Sequence, residues 1–550
     1  MRGLFALHSD NHMKAFPHFS PIPPEVIQFA KAADTDLVDP ACAVYTNRDL
    51  DLSLIEWVGF DMDYTLANYH KEPMELLQYQ LTLEYLIKNR GYPAEIRQLN
   101  YDHQLIIRGL VVDKPRGHLL KMDAHGQVWY ALHGKRSLTK EEIDALYSNR
   151  KIKVGSPQYA SLDTLFAMPE ACLYCNIIDF FETRRVQNEN LAPIELPNRN
   201  FNTTQLFEDV RFSIDQIHSD GSLKSIITQD LPTYINGSPD IALTLHKLRS
   251  VGKKLFLLTN SYWRYTQTVM TYLLDKRLPE YASWRAYFDL VVVGSQKPAF
   301  FTDRNPFFEV DTSPTAAVNE VDTPTQKTID TELSRHKVYL GGNIRDFEQR
   351  LHARGDQILY IGDHIYGDIV RSKKESLWRT CLIVDELHDQ IQLTLRHAKE
   401  FNRVTQLETD RFKLDAMIGY RRSLLAHIDT VLSQEPKQGL DKKQIDLFYA
   451  TARVVRREQE QAKNFLRELS EEILNAQTEL ERLFHPLFGR LFNQQNELSR
   501  FGAQVAFYAC IYTSNITNLL QYSPIHVFRS SGDMMTHDRI LLNSVQVHKV

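Results

Sequence analysis

An α/β fold is what this chain predicts: a parallel sheet with an inserted α/β cap domain, followed by a helical C-terminal extension. Three observations carry that reading. Four short apolar runs, Ile55 to Phe60, Leu255 to Leu258, Phe288 to Val293 and Ile358 to Ile361, are each followed by polar residues suited to phosphate or metal chemistry. About 190 residues separate the first run from the second, where a simple crossover takes about a dozen. From Lys399 to Leu520 proline and glycine are scarce, and apolar residues recur at helical spacing.

Each run reads as a buried strand, because it is rich in Val, Ile, Leu and Phe and too short for a core-facing helix. Asp240 to Gly252 has helical spacing and ends in a glycine suited to a C-cap, so it leads into the second strand as a helix. Within the insertion, Pro73 to Gly91 reads as a helix, and Val112 to His133 as strands about the turn Ala124-His125-Gly126. Asn305 to Thr328, within an excursion over 303–335, is rich in Thr, Pro, Asp and Val and reads as irregular. The expected domains are an N-terminal segment on the core (1–50), the catalytic core (51–70 with 238–400), the cap (71–237) and the helical C-terminal region (401–550).

A formal net charge of −5 in 550 residues gives no global basic field, so neither nucleic acid nor an anionic membrane is an expected partner. The mixed signs of Arg453 to Arg482 read as a solvated or coiled helix face. The apolar patch before His8 is short of a signal-peptide core, and no run approaches the ~20 residues of a membrane span. Five scattered cysteines do not resemble a disulfide framework. Cys172 and Cys175, a lone C-x-x-C with no second ligand pair nearby, read as small apolar residues of a half-buried helix. A cytoplasmic protein is expected.

Asp61 and Asp63 stand one residue apart at the carboxyl end of the first strand. Burying two acids there is costly without a cation. Mg²⁺ prefers oxygen ligands and is commonly held by one or two carboxylates plus a substrate phosphate, so the pair predicts both metal and phosphate. Asp61 is the candidate nucleophile, forming an acyl-phosphate, and Asp63 the acid and base that serves the leaving group and the attacking water. Thr259, Asn260 and Ser261, after the second strand, offer donors to phosphate oxygens. Lys297, after the third, supplies a positive charge to the transition state. Asp363 and Asp368, after the fourth, complete the metal shell, Asp363 directly and Asp368 through water or structure.

These motifs resemble those of the haloacid dehalogenase superfamily, and the strings GFDMDYTLANYH, LTNSYWRYTQTVMTYL and ILYIGDHIYGDIVRSKK are similar to the cytosolic 5′-nucleotidase II family. The resemblance runs from about Trp57 to Leu382, and more weakly into the C-terminal helices. It implies a Rossmann-like core with a cap after the first motif, and Mg²⁺-dependent hydrolysis of IMP and GMP. It further implies phosphotransfer to nucleosides, tetramers, and a nucleotide effector of the ATP or GTP class. Purine recognition falls by resemblance on Phe166, Arg211 and Asp215, with His218 beside them and Lys224 toward the phosphate. The effector site falls on Lys153, Tyr366, Lys374 and Tyr508. Ser219, Ala167 and Phe507 depart from the family pattern. The competing reading is a catalytically weak nucleotide-binding or scaffolding protein on the same fold.

Overall fold

The computed structural model describes residues 38–187, 195–196, 199–200, 202–312, 332–433 and 439–532. Its centre is a nine-stranded sheet. The strands are β1 (Tyr45–Thr46), β2 (Trp57–Phe60), β3 (Lys254–Leu258), β4 (Leu290–Val293), β5 (Phe307–Glu309), β6 (Val338–Gly341), β7 (Ile358–Gly362), β8 (Arg379–Ile383) and β9 (Ile511–Thr513). Their spatial order is β1-β9-β8-β7-β2-β3-β4-β6-β5.

From β9 to β6 every neighbouring pair is parallel, and β1 and β5 close the two edges antiparallel. The four apolar runs are β2, β3, β4 and β7, side by side at the middle of the sheet. Apart from the exposed Lys254 that opens β3, their continuous apolar character follows from burial on both faces. Gly59 is required by packing: a Cβ there would lie 2.0 Å from the Phe256 ring of β3. Because β3 pairs with one side of β2 and β7 with the other, the chain order reverses about β2. A ligand crevice belongs beyond the carboxyl end of that strand.

The insertion after β2 carries a five-stranded antiparallel sheet that includes Val111–Asp113, His118–Met122 and Val128–His133. Three helices pack with it: α1 (Lys71–Arg90), α2 (Ala167–Gln187) and α3 (Thr203–Ser219). Gly91 ends α1 in the left-handed region at φ 72°. Cys172 and Cys175 are fully rather than half buried, in the core that α2 shares with Leu86, Leu119 and Phe207. The helix expected to Gly252 spans Asp240–Arg249, with its C-cap at Ser250 and Gly252 following at φ 85°.

The excursion begins with β5, and 313–331 lie outside the described residues. Residues 1–37 of the expected N-terminal segment also lie outside them, while β1 borders β9. The C-terminal region is led by helices Ala398–Ser433 and Lys442–Arg482. Ion pairs Arg403–Glu472, Arg421–Glu458 and Arg456–Asp429 join them in antiparallel order. The mixed-charge face of the second helix is thus engaged with the first. Beyond them the chain forms helix Arg500–Tyr508 and returns to the main sheet as β9. Among the described residues no helix is long and apolar enough to cross a membrane.

Candidate active site

The first strand does not stop at Phe60. The Asp61 amide donates to the Ile361 carbonyl at 2.9 Å, which carries the β2–β7 pairing one residue further. The chain then turns sharply: the amides of Thr65, Leu66 and Ala67 all converge on the Met62 carbonyl, and Tyr64 takes φ 54°. Past this turn the two acids line one cavity but take different partners.

The Asp63 carboxylate accepts from the Tyr69 hydroxyl at 2.6 Å and the Ser261 hydroxyl at 2.9 Å. Tyr69 is in turn 2.8 Å from the Tyr265 hydroxyl. The expected metal ligand Asp63 is therefore outside the carboxylate cluster, because the turn at Tyr64 aims its side chain at these hydroxyls. The cluster that does form is Asp61, Asp363 and Asp368, with one oxygen from each lying within 4.8 Å of the others.

Lys297 reaches into it, 3.0 Å from Asp61 Oδ1 and 2.8 Å from Asp368 Oδ1, and donates to the Tyr360 hydroxyl at 2.7 Å. Asn260 fixes the Lys297 backbone: its Oδ1 accepts from the Lys297 amide at 2.6 Å and its Nδ2 donates to the Lys297 carbonyl at 2.9 Å. Its amide, expected for phosphate, is occupied in holding this loop, although Asn260 lines the cavity. Thr259 is fully buried, and its hydroxyl accepts from the Ser261 amide at 3.1 Å. That contact caps its own turn.

Gly362 brings Asp368 close: a Cβ on that glycine would lie 2.4 Å from Asp368 Oδ2. Asp363 is buried, with Oδ2 lacking any hydrogen-bond partner among the described residues. Burial, then Lys297 against it and Asp368 and Asp63 with it, leaves the Asp61 carboxyl raised to about 7. Asp363 is pushed well above the usual carboxylate range by burial and by Asp368 and Asp61. Three carboxylates against one ammonium leave a −2 excess when all are ionised, so a divalent cation balances the set. The hard oxygen donors and the orphaned Asp363 Oδ2 fit Mg²⁺.

A cavity of about 360 Å³ opens on Asp61, Asp63 and Asp363 and is walled by Lys224, Ser261, Tyr265, His218 and Phe166. It shares Thr164, Phe166, Asp215, His218 and His364 with a larger cavity of about 670 Å³, which adds Glu170, Arg211, Tyr366, Lys374, Arg500 and Tyr508. Phe166 is half-buried at their junction, edge-on to Tyr64 at 4.8 Å and His218 at 5.4 Å. His218 is lowered to about 4 by burial and then by Lys224, which keeps it neutral at physiological pH.

The positions expected to read a purine are thus brought to one wall. Of the four effector positions, Tyr366, Lys374 and Tyr508 share the larger cavity, whereas Lys153 is exposed and only its neighbours Val154 and Gly155 line it. Lys374 lies 5.6 Å from the Tyr508 ring.

Sequence reasoning missed three groups. Tyr69 and Tyr265, which orient Asp63, were visible within the quoted motif strings but carry no chemistry by residue type alone. Arg108 carried no signal at all. Fully buried, it donates to both oxygens of Glu386, at 3.1 and 2.5 Å, and to the Asp363 carbonyl at 3.1 Å. It ties the insertion to the loop that bears Asp363.

A family model described as the 5′ nucleotidase family matches residues 44–540. The chain is a phosphatase-type hydrolase of phosphoric monoesters. It belongs to the 5′-nucleotidase family. A 5′-nucleotidase domain-containing protein of Dictyostelium discoideum is 31% identical over 504 residues, 90% of this chain and 74% of that one. The 5′-nucleotidase domain-containing protein 2 of Rattus norvegicus is 27% identical over 529 residues, 94% of this chain and 82% of that one. Among solved structures, one titled a predicted phosphoglycolate phosphatase from Haemophilus somnus is 12% identical, covering 60% of this chain and 86% of that chain, with a TM-score of 0.25.

Proposed function

We propose that the chain hydrolyses 6-oxopurine nucleoside 5′-monophosphates, IMP and GMP, through an aspartyl-phosphate on Asp61 in an Mg²⁺-dependent reaction. The observation that carries this reading is the joining of the carboxylate cluster with Lys297 to a cavity lined by Phe166, Arg211 and Asp215. Asp61, Asp363 and Asp368 would hold the cation, which when bound supplies charge neutralisation for the phosphoryl oxygens.

Asp61 Oδ forms a bond to phosphorus as the bond to the 5′ oxygen breaks, and Asp63 gives that oxygen its proton. Water then attacks phosphorus, Asp63 takes the proton back, and the Asp61–phosphorus bond breaks to release phosphate. Tyr69 and Ser261 hold Asp63 for both transfers. Lys297 lies beside Asp61, where it offsets charge gathered on the phosphoryl group. Lys224, on the same cavity, supplies a second cation toward the phosphate. Phe166 stacks on the base, Arg211 donates to its O6 and N7 acceptors, and Asp215 accepts from N1–H.

Asp63→Asn is expected to lose steady turnover of nucleotides, whose leaving oxygen needs a proton, by about 10²- to 10⁴-fold, while still forming the phosphoenzyme from an aryl phosphate whose leaving group needs none. Rapid-quench phosphate incorporation beside steady-state rates checks this, and an unchanged turnover would remove Asp63 from proton transfer.

Metal binding is expected to be proton-linked, with the sign set by Asp61. The cation takes the ionised carboxylate, and Asp61 without it holds its proton below about 7. Mg²⁺ affinity should therefore fall with decreasing pH, by up to about tenfold per unit below that value. Calorimetric titrations near pH 6 and pH 8 measure this, and equal affinities would contradict it.

The reading extends to phosphotransfer, since a nucleoside hydroxyl in this cavity can replace water at the phosphoenzyme. A nucleotide effector of the ATP or GTP class is assigned to the wall formed by Tyr366, Lys374 and Tyr508, and the assembly is a homotetramer. Five free cysteines fit a reducing, cytoplasmic setting. Rates on a panel of 5′-monophosphates and sugar phosphates with Mg²⁺, repeated with ATP and GTP, test the substrate class: equal rates on sugar phosphates would end the nucleotide assignment.

A further inference from the structure

One buried acid of the larger cavity takes no part in the steps above. Glu170 stands in the first turn of α2 with its side chain 3% exposed, and its Oε1 accepts from Arg211 Nε at 2.6 Å. A carboxylate buried that deeply needs a partner. Arg211, on α3, is that partner.

The geometry of the contact matters more than its existence. Nε lies on the stem side of the guanidinium, and this is the group's only hydrogen bond among the described residues. The guanidinium carbon also sits 5.3 Å from the centroid of the Phe207 ring. Stem and plane are thus fixed, and both terminal nitrogens keep their protons for a ligand in the cavity that Arg211 lines.

Asp215 sharpens the point. It stands one helical turn after Arg211, the spacing at which an acid ordinarily captures an arginine. Here it makes no hydrogen bond within the described residues, because the neighbouring helix supplies Glu170 instead. Removing Glu170 would free Arg211 to fold onto Asp215, and both groups would be lost to the base together.

We propose that Glu170 is a positioning residue for base recognition: it clamps Arg211 by Nε so that the terminal nitrogens meet purine acceptors, and so keeps Asp215 free to accept from N1–H. This rests on the reading of Arg211 and Asp215 as the groups that meet the base.

The test uses the full chain and two probes, inosine, which carries the base without phosphate, and inorganic phosphate. Glu170→Gln is expected to weaken inosine, measured by calorimetry, by about 10- to 100-fold. Phosphate affinity should hold within about twofold. Arg211→Met should weaken inosine at least as much, and Glu170→Gln added to Arg211→Met should cost nothing further. Glu170→Asp, which keeps the charge at a shorter reach, should fall between wild type and Glu170→Gln, and it serves if the glutamine variant does not fold. Inosine affinity unchanged on altering Glu170, or losses that add in the double variant, would overturn the proposal. Inosine affinity unchanged in Arg211→Met would instead overturn the base-reading role on which it rests.

Discussion

Asp61→Asn is expected to abolish phosphoenzyme formation and to lower kcat on nucleotides by on the order of 10⁴-fold or more, on the proposal that Asp61 is the group that attacks phosphorus. The asparagine is nearly isosteric, so the loss isolates chemistry from shape. Stability should move the other way. Asp61 is crowded by Asp368 and Asp63 and buried at the cost of a carboxyl raised to about 7. Replacing it removes one like charge from a set that carries three acids against one lysine. Without Mg²⁺ the variant should melt at or above the wild-type temperature, and with saturating Mg²⁺ the wild type should gain more than the variant. Covalent phosphate still trapped in Asp61→Asn would refute the assignment of the nucleophile.

The second large effect is on folding. Arg108→Met is expected to cost about 2 to 4 kcal/mol, because it leaves the half-buried Glu386 carboxylate without its partner and strips the Asp363 carbonyl of its donor. Arg108 is fully buried and makes three hydrogen bonds there, while the Glu386 side chain keeps 23% of its surface exposed, so solvent replaces the lost partner only in part. Arg108→Met with Glu386→Leu should recover part of the loss, since removing both charges is far less costly than removing one. Urea midpoints for the three variants measure this. A single variant as stable as the wild type would mean that the insertion is not anchored to the Asp363 loop through this contact.

The gathering of the carboxylate cluster and Lys297 was legible because each of these groups follows a short apolar run that reads as a buried strand. Asp61, Lys297, Asp363 and Asp368 all lie just past β2, β4 and β7, and burial on both faces writes those strands as continuous apolar text. Other strands left weaker marks. β9 is three residues long and reaches the sheet from beyond two long helices, so nothing local announces it. β8 holds Arg379 and Thr380 amid its apolar residues and did not stand out.

The Asp63 carboxylate stands outside the three-acid cluster for a specific reason: spacing by one residue puts two side chains on one face only if the strand continues. Here three amides close on the Met62 carbonyl and Tyr64 turns left-handed. Glu170 and Arg108 were invisible for another reason. A charged residue reads as surface until the fold supplies the opposite charge, and both partners, Arg211 and Glu386, lie on other elements. Arg211 and Asp215 stand at i, i+4 spacing on α3, yet the structure pairs the arginine across to α2.

On the proposed mechanism Asp61, Asp363 and Asp368 surround one divalent ion, and Asp61 alone takes phosphorus. A crystal structure with Mn²⁺ in place of Mg²⁺ and beryllium fluoride as the phosphate mimic tests it most directly. Anomalous density is expected for one ion among those three carboxylates, with the fluoride complex on an Asp61 oxygen beside Lys297. An ion lodged elsewhere, or the complex attached to a residue other than Asp61, would contradict it.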